Sequence, residues 1–174
     1  CADCRKRTSL DGLMAFAPYG NAVVREALTG WKYHGDPELA RAVYGWIRQF
    51  AATRDVESFR GAVVTCVPLH ASRRLHRGFD QAEEIARAFA AATGAEFRPL
   101  LARVEATSPQ AARAVSDRRV GDLDHAFAAQ GAVPRRVVLC DDVATSGATI
   151  DAAARALKAA GAERVWGFAV AVGG

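Results

Sequence analysis

The sequence predicts an α/β fold: a parallel sheet with helices on both faces. Three observations carry that expectation. Residues 62–67, 137–140 and 164–172 are predominantly apolar runs without polar alternation, the pattern of strands buried on both faces. Between them lie segments whose apolar residues recur at helical spacing. Those segments begin at capping residues and end near glycines, so the order of elements alternates β and α.

Residues 10–20 read as a short strand-like segment ending at Pro18, Tyr19 and Gly20. Asn21 then caps a helix carrying Val23, Val24, Ala27 and Leu28, with Gly30 as its expected end. Asp36, Pro37 and Glu38 open a second helix, with Asp as N-cap and Pro at the first helical position. Leu39, Val43, Trp46, Ile47 and Phe50 follow at helical spacing, and the aromatics read as core. A polar linker, 53–60, leads to the strand at 62–67, which Pro68 stops because it has no N–H to give a ladder. Asp80 with Glu83 makes a capping-box-like start to a helix bearing Ile85, Ala86, Phe89 and Ala90, ended by Gly94. Residues 97–101 read as a third strand. Residues 103–124 hold too little apolar periodicity for an element and read as a mobile loop. The strand at 137, its helix, Gly161 and the strand at 164–172 complete the alternation.

A length of 174 residues with 51% hydrophobic content suits one well-buried core, hence one domain. Lys and Arg number 23 against 19 Asp and Glu, a formal +4 that suits phosphate-bearing ligands without identifying a nucleic-acid binder. The basic residues cluster: Arg73, Arg74 and Arg77 stand with His70 and His76. No run of eighteen apolar residues and no signal-peptide pattern is present, so a cytoplasmic protein is expected. Cys66 and Cys140 lie within strand runs and read as small core hydrophobes. Cys1 and Cys4 form a CxxC, half of a zinc site that takes four ligands, or else a remnant of one. A bare N-terminal Cys also reads as an acylated lipoprotein residue or an amidotransferase nucleophile. The first lacks its signal here and the second its domain.

The densest signal runs from Val137 to Thr149. Val137, Val138, Leu139 and Cys140 lead into Asp141 and Asp142, after which Ala144, Thr145, Ser146, Gly147, Ala148 and Thr149 precede a helical pattern. Backbone N–H groups and hydroxyls at a helix N-terminus favour a phosphate. Ionised carboxylates are acceptors only, matched to ribose hydroxyls or to the hydration shell of Mg²⁺. A hydroxyl-capped strand-to-helix turn is the plain alternative. Adjacent aspartates weigh against it, because each opposes the other's ionisation unless cations or donors compensate. A response-regulator acidic pocket also pairs aspartates, but after the first strand, whereas this pair precedes the penultimate one. The segment resembles the phosphoribosyl diphosphate (PRPP) binding motif of type I phosphoribosyltransferases at every position.

Further motifs extend that resemblance: Lys32 to Asp36, Val67 to His70, Arg77 to Gln81, residues 103–110, and Ala126 with Phe127. Together with the PRPP motif they resemble the ComF family, bacterial phosphoribosyltransferase-like proteins linked to competence, across almost the whole chain. One departure is Asp80, where the family motif carries Asn. The resemblance implies a type I phosphoribosyltransferase fold, with a five-stranded parallel sheet flanked by helices and a small N-terminal hood at about 10–36. It implies a single domain over 10–174 after a zinc-knuckle remnant at 1–9, the mobile loop lying at about 103–124. Asp141 and Asp142 would be catalytic and hold ribose, and residues 144–149 would hold the 5-phosphate. Pro68, Leu69, His70, Arg73 and Arg77 would meet diphosphate, and Arg103, Gln110 and Arg118 would belong to the closing loop. Mg²⁺ would accompany PRPP, and a longer form of the chain would hold Zn²⁺ through a site including Cys1 and Cys4. The implied activity is phosphoribosyl transfer to an unnamed acceptor. The alternative is a non-catalytic module that binds phosphate or single-stranded DNA, or works with competence proteins.

Overall fold

Apolar runs that bury both faces need neighbours on both sides, and here they find them in one sheet. A computed structural model describes residues 8–53, 59, 61–70, 74–75, 77–104, 123 and 125–173. Its elements are β1 (Gly12–Pro18), α1 (Ala22–His34), α2 (Pro37–Thr53), β2 (Val63–Cys66), α3 (Gln81–Thr93), β3 (Glu96–Phe97), β4 (Leu101–Arg103), β5 (Phe127–Ala129), β6 (Arg136–Ala144), α4 (Ala148–Ala159) and β7 (Arg164–Val172). The main sheet has the order β1-β7-β6-β2-β3, with every pairing parallel, and helices cover it as expected. Among the described residues no helix is long and apolar enough to cross a membrane.

Strand periodicity divides the core into two faces. Val138 and Cys140 point with Val64 and Phe168 toward α1, α2 and α3, meeting Leu28, Ile47, Ile85 and Phe89. Val137, Leu139 and Val165 point the other way, toward Ile150, Ala153 and Leu157 of α4. Fully burying one such side chain contributes about 1.5–3 kcal/mol. The local signals behave as their chemistry requires. Asn21 Oδ1 accepts from Val24 N at 3.2 Å, and Asp36 Oδ1 accepts from Glu38 N at 2.8 Å. Asp80 Oδ1 accepts from Ala82 N and Glu83 N at 3.1 and 3.3 Å, and Gly94 ends α3 in the left-handed region.

Several expectations are corrected. Gly30 does not end α1, which continues to His34 and stops at left-handed Gly35. A Cβ at Gly30 would collide with Leu39 Cδ1, so the glycine serves close packing of α1 on α2. Glu83 does not complete a capping box; its carboxylate instead faces Arg87 at 2.8 Å and Arg74 at 3.1 Å. The expected strand at 97–101 is divided. Glu96 and Phe97 extend the main sheet beside β2, whereas Leu101–Arg103 pairs antiparallel with Phe127–Ala129 in a separate ribbon. Arg103 thus lies in a strand, while residues 105–122 of the expected loop lie outside the described residues. Within the segment expected as a hood, 10–36, Gly12–Pro18 is an edge strand paired with β7 and Ala22–His34 is α1.

The connections locate the crevice that matters. From β2 the chain moves outward through α3 to β3, and from β6 it moves the opposite way through α4 to β7. The carboxyl ends of β2 and β6 therefore flank a topological switch point, where open parallel sheets bind ligands.

Candidate functional site

The acidic side of the crevice is built by unequal strand lengths. β2 pairs with β6 only as far as Cys66 opposite Cys140, whereas β6 stays paired with β7 as far as Ala144. Asp141 and Asp142 thus stand on a strand that has lost one neighbour, two residues before its end. Asp141 Oδ1 accepts from Asp142 N at 2.8 Å, and Asp142 Oδ1 accepts from Val143 N at 2.8 Å. Lys32 Nζ lies 3.0 Å from Asp142 Oδ2, whose side chain is only 16% exposed. Burial, then the adjacent Asp142 charge, pushes the Asp141 carboxyl well above the usual carboxylate range, and Lys32 offsets only part of this.

Beyond β6 the chain turns sharply into α4. Gly147 is the N-cap with φ 74°, a left-handed conformation that glycine adopts without a Cβ penalty, and being glycine it offers no capping side chain. Thr145, Ser146 and Ala148 are exposed, while Thr149 is half-buried. Ser146 Oγ accepts from Ala148 N at 3.4 Å. Ala144 differs from its expected company: it is buried, and its carbonyl accepts from Gly173 N at 3.0 Å, a packing role.

The facing turn follows β2. Val67 N donates to Cys140 O at 2.9 Å, tying the start of the turn to β6 directly before the aspartates. Pro68, Leu69 and His70 are half-buried, and Leu69 N donates to Asp80 Oδ2 at 3.0 Å. Asp80 therefore caps α3 with one oxygen and clips the turn with the other. Arg74 reaches Glu83, whereas the Arg77 guanidinium lies over the Tyr33 ring, 5.8 Å from its centroid. Arg73 lies outside the described residues, as do Gln110, Arg118, Cys1 and Cys4. Arg103 sits over the Phe127 ring at 5.3 Å. Cys66 and Cys140 are buried thiols whose pKa values burial pushes up, as a core role requires. Among the described residues no group of three or more His, Cys, Asp or Glu is arranged to hold a metal.

The last turn of α1 joins both sides of the crevice through three successive residues. Trp31 stacks on Phe79 of the basic turn with ring centroids 5.8 Å apart, Lys32 reaches Asp142, and Tyr33 lies under Arg77. Gln81 Nε2 adds a bond to Leu28 O at 3.2 Å. In the sequence Lys32 and Tyr33 stand in the motif at 32–36 with no role visible for either. A basic residue in a helix's last turn already satisfies the helix dipole, and that local explanation conceals a distant partner.

Comparison with known proteins places this geometry. Residues 105–173 match the phosphoribosyl transferase domain family. Competence protein ComFC of Streptococcus pneumoniae is 25% identical over 150 residues, covering 86% of this chain and 64% of that protein. Competence protein F of Haemophilus influenzae is 32% identical over 141 residues, covering 77% of this chain and 60% of that protein. The chain therefore spans about three fifths of the length of these curated relatives. With the five-stranded parallel sheet and the paired aspartates at its switch point, these likenesses show that the chain belongs to the ComF family of the type I phosphoribosyltransferase superfamily.

Proposed function

We propose that the chain binds PRPP with Mg²⁺ and transfers the 5-phosphoribosyl group to a nitrogen acceptor, releasing diphosphate. The observation that carries this reading is the crevice between β2 and β6, where two aspartates, a glycine-turned helix N-terminus and a basic turn converge. Asp141 and Asp142 would accept hydrogen bonds from ribose hydroxyls. Thr145, Ser146, Gly147, Ala148 and Thr149 would cradle the 5-phosphate at the start of α4. The turn from Pro68 through Arg77 would meet the diphosphate, for which a guanidinium fork is suited.

The half-buried pair fits a divalent cation, because among the described residues Lys32 is the one ammonium seen within hydrogen-bond distance of the two adjacent carboxylates, which leaves negative charge for a cation to neutralise. Mg²⁺ bound with PRPP would supply charge neutralisation to the departing diphosphate. The residues do the remainder by placement. The turns fix the two ends of the ligand, the aspartates orient the ribose, and positive charge developing at the ring lies near their oxygens. Diphosphate release from PRPP and Mg²⁺ across a panel of nitrogen acceptors tests the proposal. Turnover with at least one acceptor, lost in Asp141→Asn with Asp142→Asn, is expected, and no turnover with any would contradict catalysis.

A second reading keeps phosphate binding without transfer and takes single-stranded DNA as ligand. It is favoured by Tyr33, a residue 68% exposed whose ring lies under the Arg77 guanidinium, a pairing suited to a stacked base and its phosphate. The relatives' competence names agree with it. Here DNA would compete with PRPP, and each neutralised phosphate would add about 0.7 to the log–log salt slope. DNA binding that survives Tyr33→Ala with Arg77→Ala would remove this reading.

A further inference from the structure

The Lys32 ammonium pairs with Asp142, one of the two aspartates that end the apolar run of β6. Its Nζ meets Asp142 Oδ2 at 3.0 Å, with the two side chains 30% and 16% exposed. The turn of α1 that carries Lys32 is anchored at Trp31, which is buried against Phe79, while the exposed Tyr33 lies under Arg77. The ammonium thus reaches Asp142 from a helical turn anchored in the core. We propose that Lys32 is a specificity-determining residue that closes the acidic pair to a bare divalent cation, so that the cation enters only together with its polyphosphate ligand.

The physical basis is competition for one carboxylate. A bare Mg²⁺ or Mn²⁺ must lose part of its hydration shell and displace an ammonium already held at hydrogen-bond distance. A cation carried by a sugar diphosphate brings further attachments, at the glycine turn and at the basic turn, that a hydrated ion lacks. Those added contacts offset the loss of the Lys32 pair. The proposal rests on the PRPP reading for its biological sense, but the ion competition is measurable without PRPP.

The experiment is Mn²⁺ binding by electron paramagnetic resonance of the free ion, with the protein folded and no sugar phosphate present. Lys32→Met, which keeps the stem and removes the charge, is expected to bind Mn²⁺ about tenfold more tightly than the wild type, whereas Lys32→Arg stays at the wild-type value. Adding Asp142→Asn to Lys32→Met is expected to erase the gain. Circular dichroism checks folding, and Lys32→Gln replaces Lys32→Met where methionine disturbs it. Equal Mn²⁺ affinity in the wild type and the uncharged variant overturns the proposal, as does a gain that persists without Asp142. A second titration adds PRPP. Tighter Mn²⁺ binding in Lys32→Met with no PRPP response in any variant would uphold the Lys32 inference and remove the PRPP reading, so the two failures are distinct.

Discussion

Trp31 and Phe79 stack with their ring planes within 11° and their centroids 5.8 Å apart, joining the end of α1 to the turn after β2. Trp31 is buried, so this contact belongs to the core as well as to the site. Phe79→Ala is expected to cost about 2 kcal/mol of stability, below the range for a fully buried Phe because Phe79 is only half-buried. It should also weaken PRPP binding, since the α1 turn and the basic turn lose their common anchor. Urea unfolding and a PRPP titration check both parts, and an unchanged midpoint would show that the stack contributes nothing.

Asp141 should be a site of stability given up for function. Burial and then Asp142 raise its pKa in the folded protein, so the native state holds its proton more firmly than the unfolded chain does. Stability from this group is therefore present below the unfolded value of about 3.9 and lost as pH rises through the higher folded value. Asp141→Asn keeps an oxygen to accept from Asp142 N and removes the buried charge. It is expected to stabilise the free protein by about 1 kcal/mol at pH 7, a gain that disappears near pH 3. Melting curves at the two pH values decide, with no gain at pH 7 as the contrary result.

Asp11 should show the opposite sign. Burial works against its charge, but bonds from Lys158 Nζ and Val165 N, each 2.7 Å long, hold its pKa below the usual value. Its contribution is present above the unfolded pKa of about 3.9 and lost as pH falls through the lower folded value. Asp11→Ala is expected to cost about 1 kcal/mol at pH 7, because Val165 N at the part-buried start of β7 loses a charged acceptor. The cost should shrink in acid. A pH-independent difference in urea midpoint would contradict the linkage.

Gly147 carries the turn into α4 with φ 74°, and no atom stands within 4 Å of where its Cβ would be. Space is therefore no obstacle to alanine, and the penalty is conformational, about 1–2 kcal/mol. Gly147→Ala is expected to show that loss together with weaker binding of ribose 5-phosphate, because relieving the strain moves the first amides of α4. Unaltered binding with lowered stability would separate the turn from the phosphate.

The readable features were those whose cause lies nearby in the chain. Asn21, Asp36 and Asp80 announce helix starts because a cap bonds within three residues, and strands buried on both faces announce themselves as unbroken apolar runs. Gly30 misled because a glycine in mid-helix and one at a helix end look alike until Leu39 is seen against it. Residues 10–20 read as a strand, but nothing local in them says that the partner is β7, more than 150 residues away in register with Gly12. The aspartates were legible from their place after an apolar run. Lys32 was not, since its partner lies 110 positions along the chain and only the fold brings them together.

The crevice between β2 and β6 is proposed above to bind PRPP through Asp141 and Asp142. Thermal melting with PRPP and Mg²⁺ tests it most directly. At a ligand concentration one hundred times the dissociation constant, the wild type should gain about 2.7 kcal/mol of apparent stability, seen as a raised melting temperature. The Asp141→Asn, Asp142→Asn double variant should stay folded and show no rise. A wild-type melting temperature unmoved by millimolar PRPP, or an equal rise in the double variant, would contradict the account.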